Sequence, residues 1–475
     1  MSYLYGNREQ MELFPKCIED YISKDDPVRV YDAFVEALNL DELELTLDDN
    51  QVGAPSYDPK TMLKLLVYGY SYGIRSSRKL ERAVHHNLSF IWLMGGLTPD
   101  HKTIANYRRN NLTTLKKVLK ESVRLCMKLN LIDGNTLFVD GTKIRASAGI
   151  KNTWTKEKCE EYLKKIDKHI DIILQRCEQI DSEEEKSSSI IKVNEEIERS
   201  KNLKEKVKGI LDSLKEEEKK SVNTVDPECT RINSINGSHA GYNAQIVVDD
   251  KNGLIVNSDV VSENNDLKQF SKQINQANDN LGKKCSVACA DSGYATTEEL
   301  KKIDDRDIKV IVPSQRQAAG REKYEFAKEN FKYNSEKDCY FCPAGRCLEY
   351  LRSDNNKNNR IYRIKDSSVC HNCRYYGRCT KSRVGRTINR ILYEDIKTKL
   401  ELQYKEAEAQ EIYKRRMEKA EHPFGHIKRN LNVNSFLLRG LDGAKAEVSL
   451  FASCFNIRRM ITLIGTEMLV LKFAK

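Results

Sequence analysis

The sequence predicts an α/β protein whose mixed β-sheet follows a helical N-terminal region. Up to about residue 130, apolar residues recur at helical spacing. Beyond Thr136 the pattern changes to short apolar runs, and HAGYNAQIVVDDKNGLIVNSDVV alternates around a DDKNG turn, which is typical of a β-hairpin. The strand-like runs CSVACA and IKVIVPS then alternate with helical segments, and this order predicts an α/β core with a mixed sheet.

Charge and composition favour a polyanionic partner. The 475 residues include 80 Lys and Arg against 70 Asp and Glu, which gives a net charge of +10. No apolar run is long enough to cross a bilayer, and MSYLYGNREQ lacks a signal-peptide pattern. We therefore expect a cytoplasmic protein with no membrane partner, whose 14 cysteines are buried or bind metal rather than form a disulfide framework.

Two segments of the helical region are predicted in more detail. Four basic residues follow TMLKLLVYGYSYGI, namely Arg75, Arg78, Lys79 and Arg82. Their spacing of i, i+3, i+4 and i+7 would place four positive charges on one face of a continuous helix. Such a face is either solvated or contacts DNA phosphates. A further helix is predicted to start near Thr103 and to run toward Leu129.

A long polar insertion follows the first predicted strand. Residues 154–223 contain two apolar stripes separated by a polar stretch from Asp181 to Ser189. This pattern predicts a helical hairpin. It favours a structural or self-association arm over a catalytic one.

Two aspartates are each predicted to close an apolar strand: Asp140 in LFVDGTK and Asp291 in ACADSGYAT. Either alone is an ordinary turn or capping residue. Because α/β sheets carry ligand-binding groups at strand ends, the pair is predicted to converge on one cation. Glu421 in EKAEHPFGHIKRN is favoured as a third ligand because basic residues surround it; Glu447 is the competitor and Glu418 a weaker one.

Three carboxylates in a basic protein suit phosphodiester chemistry. Two divalent ions roughly 4 Å apart can activate the attacking water or hydroxyl and neutralise charge on the transition state. Hard oxygen ligands suit Mg²⁺ or Mn²⁺. Lys and Arg side chains would then hold the neighbouring phosphates.

Paired cysteines predict a structural zinc site. CYFC, from Cys339 to Cys342, and CHNC, from Cys370 to Cys373, have the spacing at which two thiolates grip one tetrahedral zinc ion. Six cysteines lie in this part of the chain, two more than such a site needs. The ligand set therefore stays open, and reduced cysteines without a metal are the alternative.

Motifs along nearly the whole chain resemble a DDE transposase of a bacterial insertion sequence, with an RNase H-like catalytic core. They are YDPKTMLKLLVYGYSYGIRSSRKLE, PDHKTIANYRRN, VDGTKIRASA, GYNAQIVVDD, ADSGY and EHPFGHIKR. The implied organisation is a helical DNA-binding domain at 1–130, a catalytic core at 131–153 and 224–335 interrupted by the hairpin at 154–223, a zinc-ribbon-like insertion at 336–385, and the C-terminal helical part of the core at 386–475.

The resemblance implies that Asp140, Asp291 and Glu421 form the metal-binding triad. Of the related signature Tyr-x2-Arg-x3-Glu-x6-Lys, the separation of Glu421 from Lys428 is kept, but four residues separate Arg416 from Glu421. The expected DNA contacts are Arg75, Arg78, Lys79, Arg82, Lys143, Arg145, Arg416 and Lys428. Among the cysteines, the resemblance attaches most clearly to Cys342, Cys370, Cys373 and Cys379, with Cys339 as a further candidate.

The activity implied by the resemblance is DNA transposition. A metal-activated water cuts DNA at the ends of the element, and the freed 3′-hydroxyl then attacks target DNA. The expected partners are terminal inverted repeats, target DNA and further copies of the chain, and the expected cofactors are two Mg²⁺ or Mn²⁺ ions and a structural Zn²⁺. The alternatives are a non-catalytic DNA-binding regulator, a decayed transposase, and a nuclease of the same fold without strand transfer.

Overall fold

The computed structural model describes residues 17–45, 56–182, 187–216, 221–234, 237–318, 325–354 and 359–474. Its N-terminal region is helical, as predicted. The helices are α1 (Val28–Glu36), α2 (Pro59–Ser71), α3 (Ser77–His86), α4 (Leu88–Leu93), α5 (His101–Asn110) and α6 (Leu112–Lys128). The sequence sets the start of α2 clearly, because Asp58 accepts hydrogen bonds from the backbone of Lys60 and Thr61, and Pro59 occupies the first position.

Two predicted helices are each broken. The chain turns after α2 at Gly73, whose φ of +71° favours glycine. Arg75 therefore precedes α3 and does not share a helix face with Arg78, Lys79 and Arg82, so the prediction of one continuous basic face was wrong. The predicted helix from Thr103 to Leu129 is likewise two helices, α5 and α6, which meet at Asn111.

A helical hairpin interrupts the sheet after its first strand. Strand β1 (Thr136–Arg145) is followed by β2 (Thr153–Trp154), α7 (Lys156–Ser182), α8 (Ser187–Glu216) and β3 (Val222–Asn223). The short strands β2 and β3 pair antiparallel at the base of the hairpin. A small apolar cluster that includes Cys159, Ile166 and Val207 holds α7 against α8.

The main sheet is mixed, as the sequence predicts. Its other strands are β4 (Thr230–Ser234), β5 (Gly237–Asp249), β6 (Ile255–Val261), β7 (Val287–Cys289) and β8 (Lys309–Ile311). Within the described residues the order is β4-β5-β1-β7-β8, and β6 pairs with β5. β1 is antiparallel to β5 and parallel to β7. The helices α9 (Phe270–Leu281), α10 (Thr297–Asp304) and α11 (Gln315–Ala318) connect or follow its later strands.

A second sheet contains the cysteine-rich segment. Its antiparallel strands are β9 (Lys332–Asn334), β10 (Cys339–Phe341), β11 (Cys347–Asp354), β12 (Asn359–Ile364) and β13 (Thr387–Ile391), with the short helix α12 (Ser368–His371) before β13. The side chains of Phe331, Tyr340, Leu348, Tyr362 and Ile388 form its own small core.

The C-terminal part is helical and joins the other regions. It comprises α13 (Glu394–Tyr404), α14 (Ala407–Arg429), α15 (Gly440–Ile464) and α16 (Thr466–Phe473). α15 is buried along most of its length and packs on α2, α6 and β6, whereas α14 packs across β1, β5 and β7. No single helix among the described residues has the length and apolar run needed to cross a membrane. Taken together, α15 and α16 reach that length and composition, but the pair is bent by 113°.

Candidate active site

Asp140 and Asp291 lie side by side because of the register of two parallel strands. β1 and β7 pair Phe138 with Cys289, and each aspartate follows two residues later. In parallel strands, residues in register project toward the same face of the sheet. The two carboxylates therefore meet on one face, where β7 ends.

β1 itself does not end at Asp140, contrary to the sequence prediction. It continues to Arg145 because β5 provides backbone partners along this whole stretch, with Asp140 opposite Ile246. Side chains alternate along a strand, so Asp140 and Thr142 share one face, and Lys143 and Arg145 project to the other. Asp140 is thus a residue within a strand, and its backbone position is fixed by pairing with β5.

Helix α14 covers the face that carries the two aspartates. Its Arg416 is buried, and the Nη2 atom lies 3.3 Å from Asp140 Oδ1 and 3.7 Å from Asp291 Oδ2. Arg416 Nε has no hydrogen-bond partner within the described structure. On the same face, Lys428 Nζ donates to Thr142 Oγ1. A positive charge therefore already lies between the two carboxylates.

Burial raises the pKa of the Asp140 carboxyl to about 6. Arg416 and the Gly141 backbone N–H oppose this shift, whereas the negative charges of Asp291 and Glu421 add to it. Glu421 is exposed on α14, close enough for its charge to act on Asp140. In the described part of the chain, however, no three His, Cys, Asp or Glu side chains converge closely enough to hold a metal ion.

Glu447, the competing third acid, lies in the core of the protein. Its side chain is fully buried on α15 and accepts hydrogen bonds from the Tyr70 hydroxyl at 3.0 Å and the Leu437 backbone N–H at 2.7 Å. Burial raises the pKa of its carboxyl. These contacts give Glu447 a structural role and leave Glu421 as the stronger candidate.

Two family models match the chain. The model described as "Transposase domain (DUF772)" matches residues 16–110, and that described as "Transposase DDE domain" matches residues 341–461. Over these two ranges the chain is similar to DDE-type transposases. Glu421 lies inside the second matched range, whereas Asp140 and Asp291 lie outside both.

Other comparisons add little to this assignment. No curated protein matches the chain. A solved structure described as a cryo-EM structure of the piggyBac transposase synaptic complex with hairpin DNA aligns with 94% of this chain and 79% of that chain. The identity is 9% and the TM-score 0.34, so we base no conclusion on this likeness.

The basic residues predicted to contact DNA have different surroundings in the structure. Arg75 donates to the backbone carbonyls of Ser435 and Asn432, so it joins the N-terminal region to the segment before α15. Lys143 lies 3.4 Å from Asp266. The exposed ones are Arg78, Lys79, Arg82, Arg145 and Lys428, whereas Arg416 is buried between the aspartates.

Four cysteines line one small cavity beside the second sheet: Cys342, Cys370, Cys373 and Cys379. Burial raises the pKa of the Cys379 thiol, and the charges of the other three add to this effect. The Arg346 backbone N–H donates to Cys342 Sγ at 3.3 Å. Cys339 does not line this cavity and is buried in β10.

The sequence analysis did not predict a network of four polar residues close to the aspartates. Asn243 and Gln245 of β5, Asp266 and Tyr294 are linked by hydrogen bonds beside Gly141. A signal was present, because the strand HAGYNAQIVVDD places two amide side chains within an apolar run. Buried amides require partners, which predicts a polar network there.

Proposed function

We propose that the chain is a metal-dependent DNA transposase of an insertion sequence, in which Asp140, Asp291 and Glu421 bind two Mg²⁺ or Mn²⁺ ions. The observation that carries the proposal is the pair of aspartates on adjacent parallel strands around the buried guanidinium of Arg416. Two carboxylates that face one positively charged guanidinium provide the oxygen ligands that these hard divalent ions prefer. Glu421 adds a third carboxylate whose charge reaches Asp140.

When bound, the two cations would activate the attacking water or hydroxyl and neutralise charge on the transition state. The protein would hold the DNA. Lys428 lies on the same face as Asp140 and is suited to contact a phosphate beside the cut. Water would first release the 3′-hydroxyl at each end of the element, and that hydroxyl would then attack target DNA.

A strand-transfer assay tests this proposal. Purified protein is incubated with donor DNA that carries the terminal inverted repeats, a target plasmid and Mg²⁺ or Mn²⁺. Joined products should form with the wild type and disappear in Asp140→Ala, Asp291→Ala and Glu421→Ala. Glu418→Ala is the matched control, since Glu418 is an exposed acid one turn earlier on α14, and it should remain active.

The other outcomes identify the alternatives. Cutting without joining would indicate a nuclease, and binding without cutting would indicate a regulator or a decayed transposase. An active Glu421→Ala variant would show that the third ligand is wrong. We also propose that the protein acts as a dimer or larger assembly on DNA, which light scattering of the DNA complex would measure.

We propose further that Cys342, Cys370, Cys373 and Cys379 bind one structural Zn²⁺. Their common cavity and the N–H···S bond to Cys342 support this set, because zinc-bound thiolates form tetrahedral groups of four, but the four side chains must move closer together to bind the ion. Elemental analysis should find about one zinc per chain. Cys370→Ser should lose the zinc, whereas Cys339→Ser should retain it. Equal loss in both variants would contradict this ligand set.

A further inference from the structure

A buried polar network lies against the face of β1 opposite to the Asp140 side chain. In the antiparallel pair of β1 and β5, Gly141 is opposite Gln245 and Lys143 is opposite Asn243. These four positions share one face because side chains alternate along each strand. Asn243 and Gln245 are fully buried. Their amides therefore depend on protein partners, since a buried polar group without a hydrogen bond is costly.

Asp266 supplies those partners. Its Oδ1 atom accepts hydrogen bonds from Asn243 Nδ2 and Gln245 Nε2, each at 2.7 Å, and lies 3.4 Å from Lys143 Nζ. Gln245 Nε2 also donates to Asn243 Oδ1 at 3.0 Å. These charge-assisted bonds fix the orientation of the carboxylate and of both amides.

Tyr294 extends the network to the segment that carries Asp291. Its hydroxyl donates to Gln245 Oε1, and its side chain is 1% exposed. Tyr294 ends the short 3₁₀ turn Ser292–Tyr294, which Asp291 caps by accepting a hydrogen bond from the Gly293 backbone N–H at 2.8 Å. The turn that holds Asp291 is thus anchored to β5 through one buried hydroxyl.

The same network touches the backbone beside Asp140. A Cβ atom at Gly141 would lie 2.4 Å from Gln245 Nε2, 2.9 Å from the Tyr294 hydroxyl and 3.0 Å from Asp266 Oδ1. Glycine at this position allows the three polar groups to approach the strand. One network therefore contacts both chain segments that carry an aspartate.

We propose that Asp266, Gln245 and Tyr294 are positioning residues, which set the spacing between Asp140 and Asp291 and thereby the affinity of this site for divalent cations. The inference rests on the proposed function, because it assumes that the two aspartates bind metal. Groups that orient metal ligands from outside the coordination sphere typically change metal affinity about 10- to 100-fold when they are removed.

Mn²⁺ binding to the full-length protein, measured by electron paramagnetic resonance, tests the inference without relying on activity. Tyr294→Phe removes one hydroxyl and should raise the Kd for Mn²⁺ about tenfold. Tyr242→Phe is the matched control on β5, since it removes another buried hydroxyl, which donates to Asp226 Oδ1 at 2.6 Å. This control should bind Mn²⁺ as the wild type does, although both variants lose stability.

Asp266→Asn is a second, milder variant, because the Asp266 side chain is 26% exposed and the asparagine keeps an acceptor oxygen. It should also weaken Mn²⁺ binding, by less than Tyr294→Phe. Asp140→Ala separates the two proposals. If Asp140→Ala loses Mn²⁺ affinity while Tyr294→Phe and Asp266→Asn do not, the proposed positioning role is overturned and the proposed metal site stands. If it binds Mn²⁺ as the wild type does, the proposed site fails and the network inference fails with it.

Discussion

Arg416 is the residue whose substitution tests the electrostatics of the aspartate pair most directly. Without a divalent cation, its guanidinium is the positive charge closest to both carboxylates among the contacts described. Arg416→Met should lower the free energy of unfolding in EDTA by about 1–3 kcal/mol, because it leaves partly buried carboxylates without a counter-ion. The loss stays below that of a fully buried pair, since the Asp291 side chain is 43% exposed. Urea denaturation measures it.

The adjacent residue provides the control for this substitution. Arg415 pairs with Asp250 at 2.8 Å, but its side chain is 38% exposed. Arg415→Met should therefore cost less than about 1 kcal/mol, as exposed ion pairs usually do. Equal losses in the two variants would show that Arg416 is no more important to the fold than a surface arginine.

Gly141 gives a prediction about packing at the same scale. Gly141→Ala would place a methyl group 2.4 Å from Gln245 Nε2, so neighbouring groups must move. We expect a loss of about 1–3 kcal/mol in thermal or urea unfolding, which is the usual cost of overpacking. Gly149→Ala should be nearly neutral, because its Cβ would meet only Asn152 Nδ2, at 3.8 Å. A neutral Gly141→Ala variant would contradict the close approach.

Residue type and sequence neighbours do not show which glutamate can reach the aspartates, because that depends on how deeply each glutamate is buried in the fold. Glu421 and Glu447 were both reasonable third acids by sequence. Glu447 lies in the core because α15 is buried, and its hydrogen-bond partner Tyr70 is 377 positions away in the chain. No local pattern carries a contact of that separation, whereas the pairing of Asp140 with Asp291 follows from two strands that local patterns do predict.

At the scale of the element, local patterns predicted the identity of helices and strands better than their ends. β1 was recognised from its apolar run, yet its length depends on β5, which pairs with it as far as Arg145. The break between α2 and α3 depends on the positive φ of Gly73. Because glycine as a residue type also occurs inside helices, its presence alone did not predict the break. Ends that depend on tertiary partners or on one backbone angle are therefore the parts that sequence periodicity misses.

The exposed face of α3 yields a prediction on DNA affinity. Arg78, Lys79 and Arg82 are exposed on this helix. If they contact phosphates, replacing all three with alanine should weaken binding to any duplex and reduce the slope of log K against log salt by about one per lost contact. Fluorescence anisotropy at several salt concentrations measures both quantities.

A triple substitution elsewhere separates local contact from net charge. Lys164, Lys165 and Lys168 are exposed on α7, and their replacement with alanine removes the same charge. The salt slope should then stay close to that of the wild type. If both triple variants lose slope equally, α3 makes no specific phosphate contact.

At the scale of the whole molecule, α15 explains why the helical N-terminal region and the mixed sheet form one structure. It packs on α2 and α6 on one side and on β6 on the other, and its Asn456 side chain bonds to the backbone of Ile255. The order of elements predicted the main sheet, since its strands other than β4 were visible as local patterns. The burial of α15 was not predicted, because it depends on partners from three distant parts of the chain.

The junction of the N-terminal and C-terminal helices gives a prediction on the pH dependence of stability. Burial, together with the nearby charges of Arg458 and His422, lowers the pKa of His426 to about 4. Since the unfolded pKa is about 6.5, the unfolded chain binds more protons between these values. Stability from the neutral imidazole is therefore present above about pH 6.5 and is lost as pH falls toward 4.

Wild-type protein should thus lose more stability between pH 7 and pH 5 than His426→Gln, by about 1 kcal/mol after allowance for solvent screening at this half-buried side chain. Chemical denaturation at both pH values measures the difference. His86→Gln, at an exposed histidine of α3, is the control and should follow the wild-type profile. If His426→Gln loses as much stability as the wild type, protonation of His426 does not limit the acid stability of this junction.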